Sequence, residues 1–254
     1  MKALVLEKKL DLKLRDINLP TQVGSDDVKI KMHTVGICGS DIHYYEHGKI
    51  GQWKVNEPMV LGHEGSGTVI DVGKNEKILK IGDRVCIEPQ VVSKKTKEYK
   101  LGIYNYDQKV KFWATPPIHG CLAPEVIFPG DMVFRLPDNI SYAEGAMVEP
   151  LAVGMQAVTK AQIKPGQIGL VMGCGPIGLV TGLAALAGGC SKVYIADILS
   201  EKLKICSHYS DLIPVNLSKE NLSEKIMNDT NGWGVDRFFE CSGAVKAYES
   251  IFTC

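Results

Sequence analysis

From residue 168 onward one pattern repeats, and it leaves few folds open. Ile168-Gly169-Leu170-Val171-Met172 is a short apolar run, Gly173-Cys174-Gly175-Pro176-Ile177-Gly178 follows it, and an apolar stretch with helical character runs on to Ala187. Further strands are predicted over 192–196, 212–215 and 235–239, with helices over 177–187, 201–206 and 221–227 between them and another helical stretch beginning near Val245. Parallel neighbours need a long crossover, so regular strand–helix alternation marks a parallel α/β sheet.

The glycine spacing gives that sheet a chemistry. In Gly-x-Gly-x-x-Gly between a strand and a helix, Gly173 makes the tight turn, Gly175 lets the backbone approach a pyrophosphate, and Gly178 allows close helix–strand packing. The helix start, with Ile177 in its first turn, offers free N–H groups to the phosphate charge. Asp197 ends the next strand, nineteen residues after Gly178. A carboxylate there accepts both ribose hydroxyls and repels a 2′-phosphate, which favours NAD over NADP. No arginine follows closely, and Lys202 is placed to lie over the adenosine. A plain glycine turn is the competing reading, and the whole strand–loop–helix–strand–Asp series argues against it.

The chain before this point has another texture. Residues 1–148 read as β-rich, with strands predicted over 3–6, 28–33, 67–72 and 84–88, broken by Gly and Pro. Ser40-Asp41-Ile42-His43-Tyr44-Tyr45 reads as a helical turn with a small polar cap, 94–100 as a charged, solvated excursion, and 141–157 as helical. At 254 residues two domains are expected, and we place them at 1–148 and 149–254. The 29 basic and 29 acidic residues cancel, which removes a global electrostatic case for nucleic acid or an anionic membrane. The longest apolar run, 177–187, is too short to span a bilayer, and the N-terminal Met1-Lys2-Ala3-Leu4-Val5-Leu6 is too short for a secretory signal. Cys38, Cys86, Cys121, Cys174, Cys190, Cys206, Cys241 and Cys254 never form Cys-x-x-Cys, so reduced thiols in a cytoplasmic protein are expected rather than a disulfide framework.

A hydride acceptor in the second domain calls for a group in the first that polarises an alcohol or carbonyl. The candidates are Cys38, the adjacent His63 and Glu64 beside Gly62, and Glu149 in Met147-Val148-Glu149-Pro150. Thiolate, imidazole and carboxylate with one position left for water make a catalytic zinc site. Each has a plainer reading: a buried small residue, a hydrogen-bonded turn histidine, a helix-end charge.

Six segments go further than spacing. Gly36-Ile37-Cys38-Gly39-Ser40-Asp41-Ile42-His43-Tyr44, Pro58-Met59-Val60-Leu61-Gly62-His63-Glu64, Gly82-Asp83-Arg84-Val85, Ala114-Thr115-Pro116-Pro117, Val148-Glu149-Pro150-Leu151 and the glycine loop together resemble the zinc-dependent medium-chain dehydrogenases. The resemblance is strongest to their polyol branch, the sorbitol and xylitol dehydrogenases. It implies an α/β protein: a β-rich GroES-like catalytic domain followed by a Rossmann doubly wound parallel sheet, here incomplete. It further implies that Cys38, His63 and Glu64 bind zinc and that Glu149 reaches the metal directly or through its water, where other alcohol dehydrogenases carry a cysteine. Ser40 corresponds to the hydroxyl that takes the substrate proton, His43 to the group that passes it toward solvent, and Tyr44, Phe112 and Thr115 to the lining of the polyol or nicotinamide pocket. Zinc as a Lewis acid lowers the pKa of an alcohol hydroxyl, and the hydride then leaves for the nicotinamide.

Departures from the family matter too. Many relatives bind a structural zinc through four cysteines between Pro89 and Pro116; this segment has none, so one catalytic zinc is expected. Glu76 and Pro124 stand where the family prefers other residue types, and small local effects are expected of both. Four strands fall short of a six-strand sheet, which implies a chain shortened at its C-terminus. The resulting expectations are an NAD-dependent polyol oxidoreductase acting on a small-molecule polyol, a homo-oligomer in the full-length family, with neither nucleic acid nor membrane as partner. A different secondary alcohol or an amino alcohol is the neighbouring reading. A non-catalytic zinc- or nucleotide-binding remnant, or a partner of a full-length homologue, is the alternative from another class.

Overall fold

The computed structural model describes residues 1–249; Cys254 and its neighbours from residue 250 lie outside the described residues. The chain divides into two compact units, Met1–Glu149 and Pro150–Cys254.

The first unit is built on antiparallel strands. A five-stranded sheet runs in the order Glu125–Pro129, Asp27–Gly36, Glu64–Val72, Arg84–Ile87 and Val133–Arg135. Val28, Ile30, Val69 and Val85 alternate inward along these strands and are fully buried, and the Trp113 and Phe128 rings meet at 4.3 Å in the same core. A three-stranded sheet of Asp11–Asp16, Lys2–Lys8 and Met59–Val60 carries the chain toward Gly62.

The expected turn after Cys38 is instead a nine-residue helix, Gly39–His47. Its cap is Cys38 itself rather than a polar residue, and Gly48 in the left-handed region (φ 72°) ends it. Glu76 acts within its own turn. Its Oε1 accepts hydrogen bonds from the amides of Ile78 (2.6 Å) and Leu79 (2.9 Å), fixing the turn after Gly73.

In the second unit four parallel strands stand in the order Leu212–Asn216, Lys192–Asp197, Ile168–Met172 and Arg237–Glu240. In chain order this is 3-2-1-4, the arrangement of the first four strands of a Rossmann sheet. Both faces are covered, which is why the strands are apolar without alternation. Val171, Val193 and Ile195 pack with Ala184 and Ala185 of the Pro176–Ala187 helix, while Leu170, Tyr194 and Ala196 pack with Leu222 and Ile226 of the Leu222–Asp229 helix. The helix expected over 201–206 breaks into an α-turn, Ser200–Leu203, and a 3₁₀ segment, Lys204–His208.

Candidate metal centre and nucleotide loop

Gly62 holds a positive φ of 88°, and a Cβ there would meet Leu122 at 2.8 Å and Val35 at 3.0 Å. The chain therefore bends at Gly62, His63 stays outside the strand, and Glu64 becomes the first residue of Glu64–Val72. That bend frees the two side chains from the opposed directions a regular strand would impose. Across the ladder Glu64 pairs with Gly36, whose missing side chain leaves the room that the Glu64 carboxylate fills. Cys38 arrives from the end of the Asp27–Gly36 strand. One ligand atom each from Cys38, His63 and Glu64 then lies within 4.8 Å of the other two.

The cluster is short of positive charge. Burial pushes the Cys38 thiol up; hydrogen bonding with Ser40 opposes this, and the Glu64 and Asp41 charges add to it. Burial likewise pushes the Glu64 carboxyl up, against the pull of His63. His63 is itself buried, and among the described residues its Nδ1 has no hydrogen-bond partner. A divalent cation reverses the thiol and carboxyl shifts by stabilising the anionic forms, and the sulfur, nitrogen and oxygen set suits zinc. These residues therefore fit the ion that the sequence implies.

Glu149 lies in the first turn of the Val148–Ala161 helix and outside the 4.8 Å cluster. It is half-buried, and burial raises its carboxyl, with His63 opposing and the Glu64 and Asp41 charges reinforcing the rise. Ser40, Tyr44, His63, Phe112 and Thr115 line a cavity of about 730 Å³. In it the Phe112 ring stands 5.5 Å from that of His63. His43 does not join them. It is exposed, its ring lies 5.4 Å from that of His47, and no hydrogen bond connects it to Ser40.

Sequence reasoning assigned no role to Asp41. At 2% exposure its Oδ2 accepts from the Cys38 amide (3.0 Å), its Oδ1 accepts from the Gly62 amide (2.9 Å), and Oδ1 lies 4.0 Å from His63 Nδ1. One carboxylate thus ties together the segments that carry all three clustered side chains. The signal was an acid three residues past a helix cap, which is one half of a capping box. Asp41→Ala orphans one buried and one partly buried amide. It is expected to lower zinc affinity about 10- to 100-fold and stability by about 2–6 kcal/mol, read by chelator competition and by denaturant melts. Trp53, which lines the same cavity from the turn after Ile50, also escaped notice.

In the second unit the glycines divide the work. Gly173 has φ 97°, and a Cβ on it would meet the Ser242 backbone at 2.9 Å; a Cβ on Gly178 would strike the Gly173 carbonyl. Gly175 is different, with an ordinary φ of −81° and nothing within 4 Å of a Cβ. Among the described residues no packing contact requires glycine there, whereas a pyrophosphate laid against the loop would. Half-buried Ile177 sits in the first turn of Pro176–Ala187, which carries no acidic residue in that turn.

Asp197 ends its strand with both carboxylate oxygens engaged: Oδ2 accepts from the Cys174 amide (2.8 Å) and Oδ1 from the Leu199 amide (2.9 Å). Burial alone would raise this carboxyl; the Leu199 and Cys174 amides, with the Lys202 charge, outweigh it and hold it below its ordinary 3.8. Each oxygen keeps a further lone pair for a ribose hydroxyl. Lys202 is exposed on the short helix beside it, and its carbonyl accepts from the Cys174 thiol.

Residues 24–138 match the family model described as Alcohol dehydrogenase GroES-like domain, and residues 176–254 match that of Zinc-binding dehydrogenase. A D-xylulose reductase of Morganella morganii is 56% identical over 252 residues, covering 99% of this chain and 74% of that protein. One from Saccharomyces cerevisiae is 41% identical over 249 residues, with 95% and 69% covered. Among solved structures, 2R,3R-butanediol dehydrogenase from Bacillus subtilis superposes with a TM-score of 0.85 at 34% identity, over 97% of this chain and 72% of that one.

Proposed function

The chain belongs to the zinc-binding alcohol dehydrogenase family, and from that premise we propose that it moves a hydride between a secondary alcohol of a polyol and NAD, giving a ketose. The observation that carries this reading is the convergence of Cys38, His63 and Glu64 at a cavity lined by Ser40, Tyr44, Phe112 and Thr115. Cys38, His63 and Glu64, with Glu149 reaching the site directly or through a water, would hold one zinc ion, which would supply Lewis-acid polarisation of the alcohol. Asp41 positions the ligand-bearing segments. Tyr44, Thr115 and the Phe112 ring shape the cavity wall.

Ser40 takes the hydroxyl proton at Oγ. Because His43 faces outward and is not bonded to Ser40, its part is the last step to solvent, through a water or after a change of rotamer. The loop Gly173, Gly175, Ile177 and Gly178 receives the pyrophosphate of NAD, Asp197 its adenosine ribose, and Lys202 the adenosine edge. The relatives' name, D-xylulose reductase, supports a five-carbon polyol as the first substrate to try. Against relatives of this identity and with the ligand cluster intact, a non-catalytic remnant is not favoured. We place the domains at 1–148 and 149–254 and the protein in the cytoplasm, the latter because most of its described cysteines are buried free thiols. Among the described residues no helix is long and apolar enough to cross a membrane.

Incubating the zinc-loaded chain with xylitol or sorbitol and following NADH absorbance tests the proposal. Reduction of NAD in preference to NADP is expected. A chain that binds zinc and NAD yet oxidises neither polyol contradicts it.

A further inference from the structure

The helix that brings Ser40 and Tyr44 to the cavity carries a second set of metal-binding side chains on its outer face. His43 and His47 stand four residues apart on Gly39–His47, so both rings leave the same side of the helix. Both are exposed, and their ring centres lie 5.4 Å apart at an interplanar angle of 44°. With metal–nitrogen bonds of about 2.0–2.1 Å, two imidazoles on one ion stand roughly 4.5–5.3 Å apart centre to centre. The pair is thus a small side-chain rotation away from chelating geometry, the spacing by which paired helical histidines bind zinc elsewhere. Two further features favour a cation at this place. The Glu46 carboxylate lies 4.0 Å from His47 Nε2, and His47 occupies the last turn of the helix, where the helix dipole is negative. The proposed reaction assigns nothing to His47.

Resting for its effect on turnover on the relay reading of His43, we propose that His43 and His47 form a second, exchangeable site for a divalent transition metal that prefers imidazole, such as nickel, copper or zinc, and that an ion bound there inhibits hydride transfer. An imidazole whose lone pair is held by a metal no longer accepts a proton, so the proton from Ser40 loses its last step to solvent. Two neutral imidazoles bind a divalent ion more weakly than a set that includes a thiolate and a carboxylate. The catalytic centre therefore fills first, and the surface pair responds only to metal in excess.

The test adds Ni²⁺ to the zinc-loaded wild-type chain, to His47→Gln and to His43→Gln. Calorimetry reads binding, and NADH formation from xylitol reads inhibition. The wild type is expected to bind Ni²⁺ at least about tenfold more tightly than either variant, and its turnover is expected to fall as that ion binds. His47→Gln is expected to keep the activity seen without nickel and to escape the inhibition. Nickel that instead displaces the catalytic zinc inhibits the wild type and His47→Gln alike, and that result overturns the inhibitory site. Equal affinity in all three proteins overturns the site itself. Tighter binding by the wild type with turnover unchanged at saturation overturns the blockade of His43. A wild-type chain that oxidises no polyol overturns the polyol reading, and calorimetry on the same three proteins still decides the nickel site.

Discussion

Cys38→Ser is expected to strip most of the zinc from the chain and to lower kcat/KM for a polyol by at least about a thousandfold, corresponding to ~4 kcal/mol of transition-state stabilisation. The thiolate is the softest of the three clustered ligands, and a serine hydroxyl does not ionise near neutral pH to replace it. Cys38 is also the cap of the Gly39–His47 helix, and serine is among the best residues at that position. The helix should therefore survive, so metal content and activity fall without a matching loss of helical signal. Full zinc and undiminished turnover in Cys38→Ser would remove Cys38 from the centre.

Asp197→Ala should produce the second large effect, on the cofactor. The substitution deletes the acceptor for the Cys174 and Leu199 amides and, in the proposed complex, for the ribose hydroxyls. Losing charge-assisted hydrogen bonds worth about 1.5–3 kcal/mol each should weaken NAD binding roughly 10- to 100-fold or more. NADP should weaken far less, because the repulsion of its 2′-phosphate disappears as well. Titration of cofactor fluorescence measures both affinities, and an unchanged NAD-to-NADP ratio would take Asp197 out of the ribose site.

A pH effect accompanies this change. The folded carboxyl is held below its ordinary 3.8, so its stabilisation is fully present above the unfolded value and is lost as pH falls through the folded one. Asp197→Ala should remove that part of the acid limb of unfolding in the second unit.

Much of the fold could be read in the chain because its patterns are local. The run from Ile168 through the glycine loop to Asp197 carries its own period, turn residues and terminal acid, and the strand Ile168–Met172 falls where the apolar run places it. Residues fixed by burial from several directions at once were not legible. Asp41 draws its role from two backbone amides, one of them twenty-one residues away.

Which way the His43 ring turns could not be read from the chain. The residue lies three residues after Ser40 on one helix, but sequence separation does not fix which way an exposed ring turns. The helix Gly39–His47 was underestimated for a related reason. It is ended by Gly48 in the left-handed region, while its start at Cys38 lacks the polar cap that marks most helices.

X-ray absorption at the zinc edge of the loaded wild-type chain reads the mixed-ligand zinc centre itself. A first shell with one sulfur at about 2.3 Å and nitrogen or oxygen ligands at about 2.0–2.2 Å is expected, the sulfur vanishing from whatever zinc Cys38→Ser retains. A shell made wholly of nitrogen and oxygen, or one with several sulfurs, would contradict it.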